Sequence, residues 1–384
     1  MPTATPRHLL RALALTVSLC LPAAHAGAAW FVGIGDEVGG SFDSNAHAVS
    51  NDGRVAAGAT GQMIFDPPLP ELPPLVVNDT RAAVWSLAGG LQLLPAEVMH
   101  APDISADGTV VLGFTPDSGA FRSYLWTEAG GAVETGLGDL PRRLSEDGTT
   151  IVGRASADGT SWAFRWSAAN GFENLGALPA TNPRSEAWGV SADGSVVAAK
   201  SRNVLNAPGF VWAEGVGIEA LDPIDGAKFV NGISGDGQTV FGTVDGESFL
   251  WTGSGGYVLL GNTFNAGIPK LVRDTTHDGT TAVGGNFATT FSAAFVWDAE
   301  NGMRELAAVL ENDYGIDLTG WTLLQANGIS PNGLYIVGEA INPDGNDEGF
   351  VVYLGSGTGC GLGAELALLL PALALGRRRR LGRP

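Results

Sequence analysis

An all-β fold, arranged as a closed ring of seven four-stranded antiparallel blades, is what this 384-residue sequence predicts, and three observations predict it. One phrase, built on Ser-x-Asp-Gly and flanked by β-branched residues, occurs seven times, starting at Ala48, Asp103, Arg143, Gly189, Gly232, Asp274 and Gly328. Each copy is followed by an aromatic segment, ending in turn at Trp85, Trp126, Trp166, Trp212, Trp251, Trp297 and Tyr353. Composition agrees, because 56 glycines with only 16% of residues charged suit short strands joined by tight turns. Self-similarity at a fixed period decides the architecture before any single segment does.

Within one unit four strands follow in order. Strand A is the Ala-x-x-Val/Ile-Ser segment, and the Asp-Gly turn that ends it returns the chain as strand B, as in "GVSADGSVVAAK" from Gly189. Asp-Gly between two apolar runs is a hairpin signal: Gly supplies positive φ, and the carboxylate bonds nearby backbone N–H groups. Strand C is the aromatic segment. The gaps Gly108–Trp126, Gly148–Trp166, Gly194–Trp212 and Gly279–Trp297 are identical, so the B–C spacing repeats. Strand D is a weaker segment such as "GGLQLLP" or "GGYVLLGN". Four antiparallel strands in roughly forty residues is the size of one β-propeller blade. The last unit stops after strand C, while "AWFVGIGDEVGGSF" near the start has the form of a strand D. Trp30 to Ile34 is therefore expected as the outer strand of the blade holding Phe350 to Tyr353, closing the ring and covering its edges.

The same residues carry a family resemblance. "FVGIGDEVGGSFDSNAHAVSNDGRVAAG" and "GLGDLPRRLSEDGTTIVG", with "SWAFRW" after it, resemble the repeat of the bacterial extracellular HAF family. That repeat runs Leu-Gly-x-Leu, then Ala-x-x-Val-Ser-x-Asp-Gly-x-Val-Val-Gly, then Ala-Phe-x-Trp. The resemblance spans Phe31 to Tyr353; Thr276-His277-Asp278, Asn332 and Ala198-Ala199 depart from it but keep turn or strand chemistry. It implies an exported surface protein and brings no catalytic residues with it.

Both ends read as processing segments. Residues 1–26 hold Arg7 and Arg11, an apolar run and Ala24-His25-Ala26, the layout of a secretory signal peptide cleaved between Ala26 and Gly27. Residues 27–355 are then the propeller. Residues 356–384 form a Gly-rich spacer, Cys360, a short apolar segment and the cluster Arg377, Arg378, Arg379 and Arg380. The apolar run is short for a membrane span, contains Glu365 and Pro371, and would leave the arginines on the cytoplasmic side. The tail resembles bacterial PEP-CTERM and MYXO-CTERM sorting segments, which implies membrane processing machinery and anchoring through Cys360. A plain C-terminal membrane anchor is the alternative. Either way the expected place is the bacterial cell surface or outer membrane, with membrane contact only through this tail. Cys20 leaves with the signal, so a single cysteine remains and no internal disulfide can form.

Charge excludes one class of partner. The net charge is −19, and between residues 27 and 359 fourteen bases face thirty-nine acids, a net of −25. Such a surface repels nucleic acid and anionic lipid.

The turn acids Asp52, Asp107, Asp147, Asp193, Asp236 and Asp278, with Asn332 in the seventh place, are expected to be structural. Ca²⁺ binding is their other use, but successive turns belong to different blades and Asn332 breaks the series. No cofactor is expected, and weak Ca²⁺ binding stays open. "NPDGNDEGF", with Asp344, Asn346, Asp347 and Glu348, lacks the spacing of a full Ca²⁺ loop and reads as an exposed acidic loop. His47, His100 and His277 lie in different units without metal-ligand spacing and are expected at surface or turn positions. The strand C aromatics, recurring at one place per unit, read as core between blades. Signatures such as G-x-S-x-G, a phosphate loop or H-E-x-x-H do not occur.

Alternating strand direction puts A–B and C–D turns on one face, and B–C and D–A loops on the other. The second face holds the variety: the Pro-rich loop from Phe65 to Asp79, "SRNVLNAP", "PATNPRSEA" and "GNTFNAGIPKLVR". Loops on a rigid scaffold are where binding resides. The function expected is a non-catalytic binding or interaction module whose ligand is an extracellular polymer or another surface protein. The alternative is a carbohydrate-active enzyme, glycosidase or lyase-like, with acids in the central channel. Against it, no acid pair recurs outside the turns as two catalytic carboxylates would require.

Overall fold

The computed structural model describes residues 28–36, 43–59, 81–117, 120–157, 160–180, 183–201, 209–221, 228–261, 270–286 and 294–355. Ala26, Gly27, Cys360, Arg377 to Arg380 and the loop from Phe65 to Asp79 lie outside them, as do parts of the other three variable loops.

The first strand, β1 (Trp30–Gly33), stands apart from the four that follow it. Blade 1 is β2 (Ser44–Val49), β3 (Val55–Ala59), β4 (Arg81–Ser86) and β5 (Gly90–Leu93). Blade 2 is β6 (His100–Ile104), β7 (Val111–Asp117), β8 (Ala120–Thr127) and β9 (Gly131–Glu134). Blade 3 is β10 (Leu140–Leu144), β11 (Thr150–Ala157), β12 (Thr160–Ser167) and β13 (Gly171–Gly176). Blade 4 is β14 (Ser185–Val190), β15 (Val196–Ser201), β16 (Gly209–Ala213) and β17 (Gly217–Ala220). Blade 5 is β18 (Lys228–Ile233), β19 (Thr239–Val244), β20 (Glu247–Thr252) and β21 (Gly256–Leu259). Blade 6 is β22 (Leu271–Thr275), β23 (Thr281–Gly285), β24 (Phe295–Asp298) and β25 (Gly302–Glu305). After the helix α1 (Leu306–Asn312) come β26 (Thr322–Ile329), β27 (Tyr335–Ile341) and β28 (Asp347–Tyr353).

Those last three strands become a complete blade only when β1 joins them. It pairs antiparallel with β28, Trp30 opposite Tyr353 and Gly33 opposite Phe350. This is the closure the sequence predicts, and it makes blade 7. Blades 6 and 7 share one bridge, Gly285 with Gln325, and are otherwise separate four-stranded sheets like the rest. The first strands of neighbouring blades pack on one another all the way round, from β2 through β6, β10, β14, β18, β22 and β26 back to β2. Strand A is therefore innermost, and the fold is a seven-bladed β-propeller.

The core lies between blades rather than within them. Seven apolar clusters fill the seven gaps, and strand C supplies their largest members. Trp126 shares a cluster with Ala48 and Ala56 of blade 1, Trp212 with Val152 and Ala163 of blade 3, and Trp297 with Phe241 and Leu250 of blade 5. Burying such a ring removes a large apolar area from water, so each interface is stabilised chiefly by its aromatic anchor. The blade 6–7 gap also holds α1, the one helix among the described residues, which buries Leu306, Val309 and Leu310. The sequence reading did not foresee it.

Candidate functional site: the central channel

Every A–B hairpin carries a bulge in strand A, and the bulges decide what lines the axis. The register slips around His47, Arg142, Trp188, Asn231, Arg273 and Asn327, and in blade 2 around Ala101 and Pro102. A bulge leaves its extra residue unpaired and re-aims the side chain. One varied residue per blade is thus released from the ladder at a common depth. His47 and His100 sit on these inner strands and are partly buried, which corrects the surface placement expected for them. Burial holds both imidazoles down to about 4, and for His47 the neighbouring His100 and Arg143 add to it. His277 does lie in a turn.

One step deeper, the residue after the bulge is Ala48, Asp103, Arg143, Gly189, Gly232, Asp274 or Gly328. Four small residues leave room for three charged ones. Arg143 of blade 3 reaches across the axis and donates to the carbonyl oxygen of Arg273 in blade 6, 3.2 Å away. Blades 3 and 6 are three steps apart, the largest separation a ring of seven allows, so this side chain spans the channel. Asp103 accepts from the backbone N–H groups of Ile104 (2.9 Å) and, in the next blade, Leu144 (2.8 Å). Asp274 does the same with Thr275 (2.9 Å) and Ile329 (3.0 Å). Both acids are pulled up by burial against the downward field of Arg143, Asp274 to about 6. A cavity of about 80 Å³ adjoins them, lined by Arg143, Trp188 and Glu146 among others.

The turn face closes over this cavity. Glu146 of blade 3 meets His277 of blade 6, Oε2 to Nδ1, at 2.9 Å. Gly235 makes the space, since a Cβ there would lie 1.8 Å from Glu146 Oε1. Around the pair the turns form a circle of hydrogen bonds. Backbone N–H groups of Asn51, Ala106, Asp147, Ala192, Asp236 and His277 donate to carbonyls of Ala106, Glu146, Ala192, Gly235, His277 and Pro331 in the next blade. Asn332 completes the circle, its N–H to Asn51 Oδ1 (2.8 Å) and its side-chain amide to Asn51 O (3.1 Å).

Within each turn the acid is internally engaged. Asp193 Oδ1 accepts from Ser195 N, Ser195 Oγ and Ser191 Oγ, which together hold its carboxyl down to about 2. Asp107, Asp147 and Asp278 repeat that set, while Asp52, Asp236 and Asn332 keep the Ser hydroxyl and the backbone N–H two residues on. Gly194, which follows Asp193, needs φ +75, and a Cβ on it would lie 2.3 Å from Thr150 Oγ1 of blade 3. Among the described residues no group of three His, Cys, Asp or Glu side chains could hold a metal ion.

The opposite mouth of the channel is electrically divided. On blades 3 and 4, Glu186 is fully buried, with Arg142 at 2.8 Å and Lys200 at 3.9 Å. Arg142 and Lys200 lie over the Trp188 ring, 4.4 and 3.9 Å from its centroid. On blade 7, burial drives Glu339 up to about 7, with Asp347 and Asp43 adding and Arg273 opposing. Asp347 therefore belongs to this rim, and Glu348 accepts from Gly35 N (2.9 Å) and Asn342 Nδ2 (2.8 Å). Reading each residue singly missed these groups; aligning the seven repeats as columns exposes them.

No protein-family model matches this sequence, and no curated protein matches it either. Solved structures do. The β-propeller domain of the trilobed protease from Pyrococcus furiosus matches at 10% identity and a TM-score of 0.53, over 87% of this chain and 95% of that one. The β-propeller domain of Cps50 (Swd1) from Myceliophteria thermophila matches at 10% identity and 0.50, over 80% and 95%. TolB from Acinetobacter baumannii matches at 12% identity and 0.42, and this chain spans 65% of its length. At such identities the likeness shows the propeller fold and nothing finer.

Proposed function

We propose that this chain is an exported, surface-attached propeller that binds its ligand at the loop-side mouth of the channel and leaves it chemically unchanged. The observation that carries the non-catalytic reading is the engagement of Asp103 and Asp274. Each accepts two backbone N–H bonds, one from the next blade, and Arg143 offsets their charge. They are struts between blades rather than free acids. A general acid or base needs a proton site open to substrate, whereas both oxygens of each of these carboxylates already accept a backbone N–H. The signal-like residues 1–26, the Cys360 tail and the HAF-like repeat support export and attachment, with an extracellular polymer or a surface protein as ligand.

Two measurements test this. Mass spectrometry of the native protein should find an N-terminus at Gly27, a C-terminal boundary at Cys360 and lipid mass on that cysteine. A protein held at the surface with Arg377 to Arg380 intact would make the tail a simple anchor. An array of glycans and envelope proteins, followed by assay of reducing-sugar release on each hit, should give binding without turnover. Sugar release would return the enzyme reading.

A further inference from the structure

The chain enters and leaves the propeller at one corner, and that corner fixes how a tethered propeller stands. Trp30, the first residue of β1, lies opposite Tyr353, the last of β28, with their rings 5.8 Å apart. Tyr353 also lies opposite Tyr335, the first residue of β27, whose ring is 6.2 Å from that of Trp30. One residue further on, the Leu354 N–H donates across 2.9 Å to the carbonyl of Leu334, at the A–B turn of blade 7. Both ends of the propeller are therefore on the turn face, beside the Asn332 turn. Reach decides the rest. Cys360 follows Gly355 by five residues, which span at most about 18 Å even when fully extended. β28 holds seven residues, so the loop end of blade 7 lies about 20 Å from its turn end. A tether this short cannot run back along the blade and round its far end. The same reach applies to an anchor in the apolar segment that follows Cys360. Gly27 stands three residues before Trp30, so the segment read as a signal meets the propeller at the same corner.

We infer that the propeller stands with its turn face toward the lipid surface and its loop-side mouth facing outward, an orientation that rests on attachment through the tail. The two faces suit those places. Turn acids such as Asp193 are engaged inside their own turns, and Glu146 with His277 covers the axis, so the turn face offers little to a ligand. That face is acidic and anionic headgroups repel it. The repulsion fades within about 8 Å at physiological salt, which is less than the stand-off the tether permits. The varied side chains of Arg142, Trp188, Lys200 and Glu339 are then presented away from the membrane.

Energy transfer to a dye in the membrane tests this, with the full chain in native envelope membranes. Thr109, in the A–B turn, and Ala120, at the start of β8, are exposed at opposite ends of blade 2. Thr109→Cys and Ala120→Cys are each labelled with one donor dye, the unsubstituted chain giving the background from Cys360. The label at position 109 should lose more of its emission than the label at position 120. Inserting about forty Gly and Ser residues after Gly355 should remove the difference, because a long flexible linker lets the propeller tumble. Equal or reversed losses with the native tether overturn the inference and leave attachment standing. A difference that survives the spacer overturns it too, since something other than the tether then sets the orientation. Transfer from neither position, with the protein free in the medium, sinks attachment and orientation together.

Discussion

The side-chain amide of Asn332 donates to the main-chain carbonyl of Asn51 across 3.1 Å, and this bond closes the circle of turns between the last blade and the first. Elsewhere the residue before the turn acid, or the acid itself, donates its backbone N–H to the next blade. In blade 7 that preceding residue is Pro331, which has no N–H. Asn supplies a donor in its place, whereas an Asp carboxylate would only accept.

Asn332→Asp should therefore destabilise the protein by about 1–2 kcal/mol, although it restores the acid found in the other six turns. Chemical denaturation measures it. Unchanged or increased stability would mean that the seam does not depend on this amide. Asp193→Ala, which removes a carboxylate bonded only inside its own turn, should cost about 1 kcal/mol.

Ring closure rests on β1. Phe31 packs on Phe350 and Trp321, with centroids 5.6 and 5.0 Å away. Deleting residues 29–36 exposes the β28 edge and uncovers that cluster, so the melting temperature should fall sharply. Phe31→Ala alone should cost about 3 kcal/mol. A deletion variant that melts with the full chain would contradict closure.

Arg143 offsets the charge of two acids that face the axis. Arg143→Met leaves Asp103 and Asp274 without a counter-charge and should cost about 3 kcal/mol at neutral pH. Adding Asp274→Asn should recover part of that loss, read as a coupling energy in a double-mutant cycle. Strictly additive effects would show that Arg143 is not coupled to Asp274.

Glu339 gives a pH dependence of known sign. Its carboxyl, ordinarily near 4.5, is held up to about 7, so the folded chain binds this proton more tightly than the unfolded chain. Its effect on stability is absent below pH 4.5 and becomes a penalty as pH rises through 7. Glu339→Gln should thus raise stability at pH 8, by on the order of 2 kcal/mol, and change it little at pH 4. His47 runs the other way: held down to about 4, it contributes stability above pH 6.5 that is lost as pH falls toward 4. His47→Gln should flatten the acid side of the profile.

The blade count and the closure were legible because they rest on a phrase repeated seven times, with Ser, Asp and Gly in fixed places for local reasons. The channel was not, because its chemistry sits where the repeat varies. The bulge column reads His47, Pro102, Arg142, Trp188, Asn231, Arg273 and Asn327, and no single member has the spacing of a motif. His47 and His100 were placed outside because each was weighed alone, without the register that turns strand A toward the axis. "NGMRELAAV" reads as one more weak strand D, yet the strand ends at Glu305, and Leu306, Val309 and Leu310 fill one side of a short helix.

The central claim, non-catalytic capture at the loop-side mouth, is tested most directly by one pull-down. Envelope extract is passed over immobilised native protein, over Trp188→Ala at the mouth, and over Thr109→Arg on the turn face, and the retained material is analysed for mass and chain length. The account predicts retention by the native and Thr109→Arg proteins, loss with Trp188→Ala, and recovered material unchanged from the input. Retention that survives Trp188→Ala but fails with Thr109→Arg, or recovery of shortened chains, would contradict it.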